Sequence, residues 1–172
     1  MSDLQRAKLE RIYRMKDFDG DGRVSVNDFI LWGKKVSEFS GLDYTPEIQK
    51  GWEECYSIYF PGDTGEDIEK FVKKSIEFSQ TENAIEFSAK LNLKLFACVD
   101  SNNDGLISWE EFKAFVMPFG VSEDDARFAF TATDENGDGV LSKEELCEAC
   151  TRYYLDAVDS KYKHFYGRFD SY

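Results

Sequence analysis

Three twelve-residue stretches carry side chains suited to holding a hard cation: DFDGDGRVSVND (17–28), DSNNDGLISWEE (100–111) and DENGDGVLSKEE (134–145). Each has an acid at position 1, Asp or Asn at 3, Asp at 5, Gly at 6, an aliphatic at 8, Ser at 9 and a carboxylate at 12. Ca²⁺ takes about six to eight oxygens at about 2.3–2.6 Å. A loop of this length offers them from positions 1, 3 and 5, the carbonyl of 7, a water under 9 and the carboxylate of 12. The expected ligands of the first loop are Asp17, Asp19, Asp21, the Arg23 carbonyl and Asp28. Those of the second are Asp100, Asn102, Asp104, the Leu106 carbonyl and Glu111; those of the third are Asp134, Asn136, Asp138, the Val140 carbonyl and Glu145. Ser25, Ser108 and Ser142 are expected in the outer sphere. Gly22, Gly105 and Gly139 permit a bend that a Cβ would obstruct. Val24, Ile107 and Leu141 are expected to pair the loops through a short β-bridge and to point into the core. One such match competes with an ordinary solvated Asp/Gly turn; three, each with its position-12 acid, set that alternative aside.

The loops are not equivalent. Glu111 and Glu145 are long enough to bind Ca²⁺ with both oxygens, whereas Asp28 is one methylene shorter. A compact, six-coordinate geometry is what Mg²⁺ demands. Three Ca²⁺ sites are therefore expected, with Mg²⁺ tolerated best at the 17–28 loop.

Each loop is flanked by helical periodicity, with Leu4, Lys8, Arg11–Ile12 and Met15 before the first and Phe29, Ile30, Trp32 and Val36 after it. Thr45-Pro46-Glu47 reads as a helix N-cap with Pro in the first turn. Ile48, Trp52, Cys55–Tyr56 and Tyr59 then share a face, Pro61-Gly62 breaks the helix, and Thr64 with Asp67 resembles a capping box. Residues 46–79 thus form a fourth helix–turn–helix whose turn lacks alternating acids and is expected to bind no metal. Ser122 with Asp125 reads as another box, after the Pro118–Gly120 break. The expectation is an all-α chain of about eight helices in two pairs, 1–80 and 81–172.

The composition narrows the partners. A net charge of -13 supplies no basic surface for nucleic acid or anionic lipid. With 42% hydrophobic and 16% aromatic residues, the chain is too apolar for a disordered acidic one. Residues 1–15 contain no apolar signal region, Gly is not second, and no run is long enough to cross a bilayer. Cys55, Cys98, Cys147 and Cys150 lie in helical segments; Cys147-Glu-Ala-Cys150 lacks the helix-N-terminal setting of a redox pair and the further ligands of a zinc site. A reduced cytoplasmic monomer is expected, with no catalytic constellation and hence no enzyme.

In its three loops, its silent second hand and its length, the chain resembles the invertebrate sarcoplasmic calcium-binding proteins, an EF-hand family. The first loop's Asp28 and the tail KHFYGRF (163–169) are the most specific points. The resemblance implies a compact four-EF-hand fold and a cytosolic Ca²⁺/Mg²⁺ buffer. It extends to calexcitin-like sensors, which would have a protein target, and to coelenterazine-binding luciferin carriers and photoproteins. A single histidine, His164, and a terminal Tyr172 in place of Pro argue against luminescent chemistry. A calmodulin-like sensor opens a Met-rich groove. Met15 and Met117 are the only methionines beyond Met1, which favours a buffer over a sensor.

Overall fold

In the computed structural model, residues 2–60, 62, 65 and 67–169 are described. The helices begin where short polar side chains take up free first-turn amides. Ser2 starts α1 (Asp3–Lys16), Ser25 α2 (Val26–Ser40), and Thr45, with Pro46 next, α3 (Pro46–Tyr59). Asp67 caps α4 (Ile68–Ser79) by accepting from the Lys70 amide; Thr64, expected to share a box with it, lies outside the described residues. α5 (Ala84–Val99) has no side-chain cap bond. Ser108 starts α6 (Trp109–Val116), Ser122 α7 (Glu123–Thr133) and Ser142 α8 (Lys143–Leu155). Ser122 accepts from the Asp125 amide, the forward half of the expected box. The Pro118–Gly120 break is a 3₁₀ turn, Met117–Phe119, closed by Gly120 at φ 77°.

Between α5 and α6 lies β1 (Leu106–Ile107), and between α7 and α8 lies β2 (Leu141–Ser142). They pair antiparallel, with Ile107 opposite Leu141. Val24 occupies a bridge position in the first loop. Val24, Ile107 and Leu141 are each 0% exposed, so the position-8 expectation holds. The first helix presents a rotated face: Gln5, Lys8, Leu9, Ile12, Tyr13 and Lys16 are buried, while Leu4 and Met15 are only partly so.

The two halves share one core. Trp32 on α2 packs against Trp52 on α3 at 4.7 Å between ring centres, and against Phe115 at 5.3 Å and Phe119 at 4.8 Å from the C-terminal half. Its indole N–H donates to the Phe115 carbonyl at 3.3 Å. The tail closes the other side. Phe165 and Tyr166 are buried, and Tyr166 lies 4.9 Å from Tyr153. Arg11 of α1 donates to the Tyr166 carbonyl at 3.0 Å. Phe169 donates its amide to His164 Nδ1, and the imidazole stands edge-on to Phe128.

All four cysteines are free thiols. Burial raises Cys147 to about 12 and Cys150 to about 11. Neither is poised for redox chemistry at neutral pH. No described helix is long and apolar enough to cross a membrane.

At Gly33, α2 packs directly on Trp52 of α3. A Cβ there would run into the Trp52 ring, and the indole is locked in the core. Gly33→Ala would gain about 1 kcal/mol of helix propensity but overpack by about 1–3 kcal/mol. A net fall in thermal unfolding temperature is expected, and a rise would show that the α2–α3 contact yields.

Candidate metal centres

The helix ends set the loops. Asp17, Asp100 and Asp134 are each the C-cap of the incoming helix, their amides donating to Tyr13, Phe96 and Phe130 carbonyls at 3.1, 2.8 and 2.9 Å. Ser25, Ser108 and Ser142 are the N-caps of the outgoing helices. Every loop therefore starts with a carboxylate at the negative end of a helix dipole, where only a cation makes it comfortable.

Within the loops the same bonds recur three times. The position-6 amide donates to the position-1 carboxylate at 3.0 Å in each: Gly22 to Asp17, Gly105 to Asp100, Gly139 to Asp134. The position-5 amide donates to position 3, at 3.1 Å for Asp21 to Asp19 and 2.8 Å for Asp104 to Asn102 and Asp138 to Asn136. The position-7 amides of Arg23, Leu106 and Val140 donate to Asp21, Asp104 and Asp138 at 2.7–3.1 Å. In the first loop, oxygens of Asp17, Asp19 and Asp21 all lie within 4.8 Å of one another. Asp17 Oδ1 is buried with no hydrogen-bond partner. A buried carboxylate oxygen is costly to leave unpaired, so this donor set fits a divalent cation.

The position-12 acid ties the loop's two ends together. Glu111 Oε1 accepts from the Ser101 amide at 2.9 Å while Oε2 accepts from the Ser108 amide at 2.9 Å and hydroxyl at 2.8 Å. Glu145 accepts likewise from Glu135 and Ser142 at 3.0 and 2.8 Å. Burial raises the Glu111 and Glu145 pKa values, but the hydrogen bonds from the serines outweigh it and the net shift is downward. Both are therefore ionised at neutral pH. Asp28 makes the same set with a shorter arm: it accepts from Phe18 at 2.8 Å, and from the Ser25 amide and hydroxyl at 2.7 and 2.9 Å. It is 0% exposed, against 7% for Glu111.

Ser25, Ser108 and Ser142, expected only in the outer sphere, also complete capping boxes with the position-12 acid. At position 6 the reason for Gly is the backbone, not crowding. Gly22, Gly105 and Gly139 have φ of 85–87°, and a Cβ on any would meet nothing within 4 Å. Position 4 is left-handed as well, at Gly20, Asn103 and Gly137. The Gly or Asn at that position was the available signal. Other contributors left no pattern in the loop. Tyr13 Oη donates to the Gly22 carbonyl at 3.0 Å and accepts from the Val24 amide at 3.2 Å. Arg23 reaches the silent turn, its Nη1 donating to the Gly65 carbonyl at 3.2 Å. Lys161 and Tyr162 hold Glu135 from the tail at 2.6 and 2.8 Å.

Four helix–loop–helix units around one core, three with this oxygen framework, define a protein of the EF-hand class. The sequence matches the EF hand family over residues 93–117 and the EF-hand domain pair family over 114–153. It is 30% identical to a sarcoplasmic calcium-binding protein of Perinereis vancaurica tetradentata, over 96% of this chain and 98% of that one. Calerythrin of Saccharopolyspora erythraea is 28% identical over 88% and 93%. The fold superposes on a Ca²⁺-loaded apo coelenterazine-binding protein of Renilla muelleri with a TM-score of 0.86, covering 97% and 99% at 20% identity. The chain belongs to the sarcoplasmic calcium-binding protein family, and is an EF-hand calcium-binding protein.

If dihedral strain alone governs position 6, Gly139→Ala costs about 1–2 kcal/mol of metal-free stability despite the open space, while Asn103→Gly is close to neutral. Chemical unfolding in chelator checks both, and a neutral Gly139→Ala would refute the backbone argument.

Proposed function

We propose that the protein is a Ca²⁺/Mg²⁺ buffer with three working sites, built from hand pairs 1–80 and 81–172, and acting as a monomer in the reducing cytoplasm without enzymatic activity. The sites use the side chains of Asp17, Asp19, Asp21 and Asp28, of Asp100, Asn102, Asp104 and Glu111, and of Asp134, Asn136, Asp138 and Glu145. The carbonyls of Arg23, Leu106 and Val140 complete them. The observation that carries the buffer reading is the sealed contact of Trp32 with Phe115 and Phe119. The apolar faces that a sensor presents to its target are here spent on each other, and buffers hardly open.

The 17–28 loop, closed by the shorter Asp28, is the mixed site, because Mg²⁺ asks for octahedral geometry at about 2.0–2.1 Å. Three divalent ions would add six charges and take the formal net charge from -13 to -7. The metal-free form is therefore the looser one.

A second reading, a small-molecule carrier, is favoured by one observation. A cleft of about 320 Å³ lies between α3, α4, α5 and α8, and the Renilla protein of the same fold is named for binding coelenterazine.

Calorimetric titration tests the buffer reading. Three Ca²⁺ are expected, with millimolar Mg²⁺ competing most strongly at one. Asp28→Glu should abolish that competition and leave the other two sites unchanged; equal competition at all three sites sinks the Mg²⁺ assignment. Each site at a thousandfold excess over its Kd stabilises by about 4 kcal/mol, so Ca²⁺ should raise the unfolding temperature by more than about 10 °C. A rise of a degree or less contradicts the coupling.

A further inference from the structure

Lys16 is the last residue of α1, and its side chain is buried where buried cations ordinarily have a counter-charge. Its ammonium donates to Tyr154 Oη at 2.8 Å. It sits 4.5 Å from the Tyr59 ring centre, 5.3 Å from Tyr154, 5.5 Å from Phe29 and 5.7 Å from Trp32. No carboxylate reaches it among the described residues. Ring faces favour the cation, and a single phenol oxygen occupies one of its three donors. The charge is housed but not neutralised.

Tyr59 and Tyr154, the two rings nearest that ammonium, also line the 320 Å³ cleft. Leu91, Phe78 and Phe87 give it apolar lining. Phe78 and Phe87 meet edge to face at 5.3 Å, and Phe87 stays 44% exposed, so the cleft reaches solvent. Among the described residues no Asp or Glu lines it; the charged residue on its lining is Lys74. In a chain of net charge -13, a cleft with no described acid on its lining, backed by an unneutralised ammonium, selects for charge. Its volume lies at the lower end for small-molecule pockets.

We infer that the cleft takes an amphiphile with one anionic head, of the fatty-acid class, its head at Tyr59 and Tyr154 in the field of Lys16 and its chain along Leu91, Phe78 and Phe87. This rests on the carrier reading and names the charge of the cargo. An uncharged ligand gains only the apolar contact; an anion gains that contact and supplies the missing counter-charge in a low-dielectric setting.

The test is calorimetry on the full chain in Mg²⁺, with micromolar dodecanoate, dodecan-1-ol and coelenterazine as separate ligands. Dodecanoate should bind one to one, at least tenfold more tightly than dodecan-1-ol. Lys16→Met keeps the bulk and removes the charge; it should bring the two affinities within about threefold by weakening dodecanoate alone. Equal affinities in the wild type, or tighter binding of coelenterazine, overturn the anionic assignment and leave the carrier reading standing. No binding of any of the three overturns both. If Lys16→Met does not fold, Lys74→Met decides with the wild-type ratio: a retained ratio supports Lys16, and a lost ratio moves the selectivity to the mouth and overturns the role given to Lys16.

Discussion

The structure depends on the carboxylate at position 12 of each loop. It reaches back to the amide at position 2 and forward to the serine at position 9, so one side chain clamps both ends of the loop. The same side chain is the N3 member of the capping box that starts the outgoing helix. A cation that draws on this carboxylate is thereby connected to the start of a helix, and through that helix to the core. Loop geometry and helix orientation are not separate properties here. Asp28, one methylene shorter, keeps the same bonds, because the bonds are what the helix needs.

The core explains why such a connection does not have to end in exposure of a groove. Trp32 stands between the two halves, touching α3 on its own side and α6 with the following turn on the other. Its N–H is satisfied by the Phe115 carbonyl, so separating the halves would break a buried hydrogen bond as well as ring contacts. Burial of that kind is costly to undo. The tail adds a second closure, since Tyr166 is buried against Tyr153 while Lys161 and Tyr162 grip Glu135, the residue beside the first ligand of the third loop. The tail is thereby tied directly to the third loop.

Much of this was legible in the sequence, for a physical reason. Alternating acids, a position-6 Gly and a helix on either side are local requirements, and local requirements leave local patterns. The loops, caps at Thr45 and Ser122, and the buried bridge residues Val24, Ile107 and Leu141 all follow from them. What escaped was tertiary. The buried face of α1 includes Lys16, which lies off the periodic stripe, and Lys8, which lies on it but whose burial needs a distant partner. Lys8 is accommodated because Nζ donates to the Asp156 carbonyl at 2.7 Å, and Lys16 because four rings surround it. Neither partner set is near in sequence. Gly33 carried no signal either, because its need arises only when Trp52 arrives on the neighbouring helix.

The silent hand shows the same division between chemistry and architecture. The 60–67 turn lacks the acid alternation, yet α3 and α4 are kept, and each contributes to the shared core through Trp52 and Cys55, and through Phe71 and Val72. Arg23 of the first loop donates to Gly65, and Arg6 of α1 pairs with Glu69 of α4 at 2.8 Å. The working loop of the pair is thus braced by its partner whether or not that partner has ligands of its own. Metal is needed where clustered carboxylates must be neutralised; packing needs only the helices. A hand can therefore lose its acids without the fold losing the hand, and the half of the molecule that does so still presents its neighbour's aspartates in register for a cation.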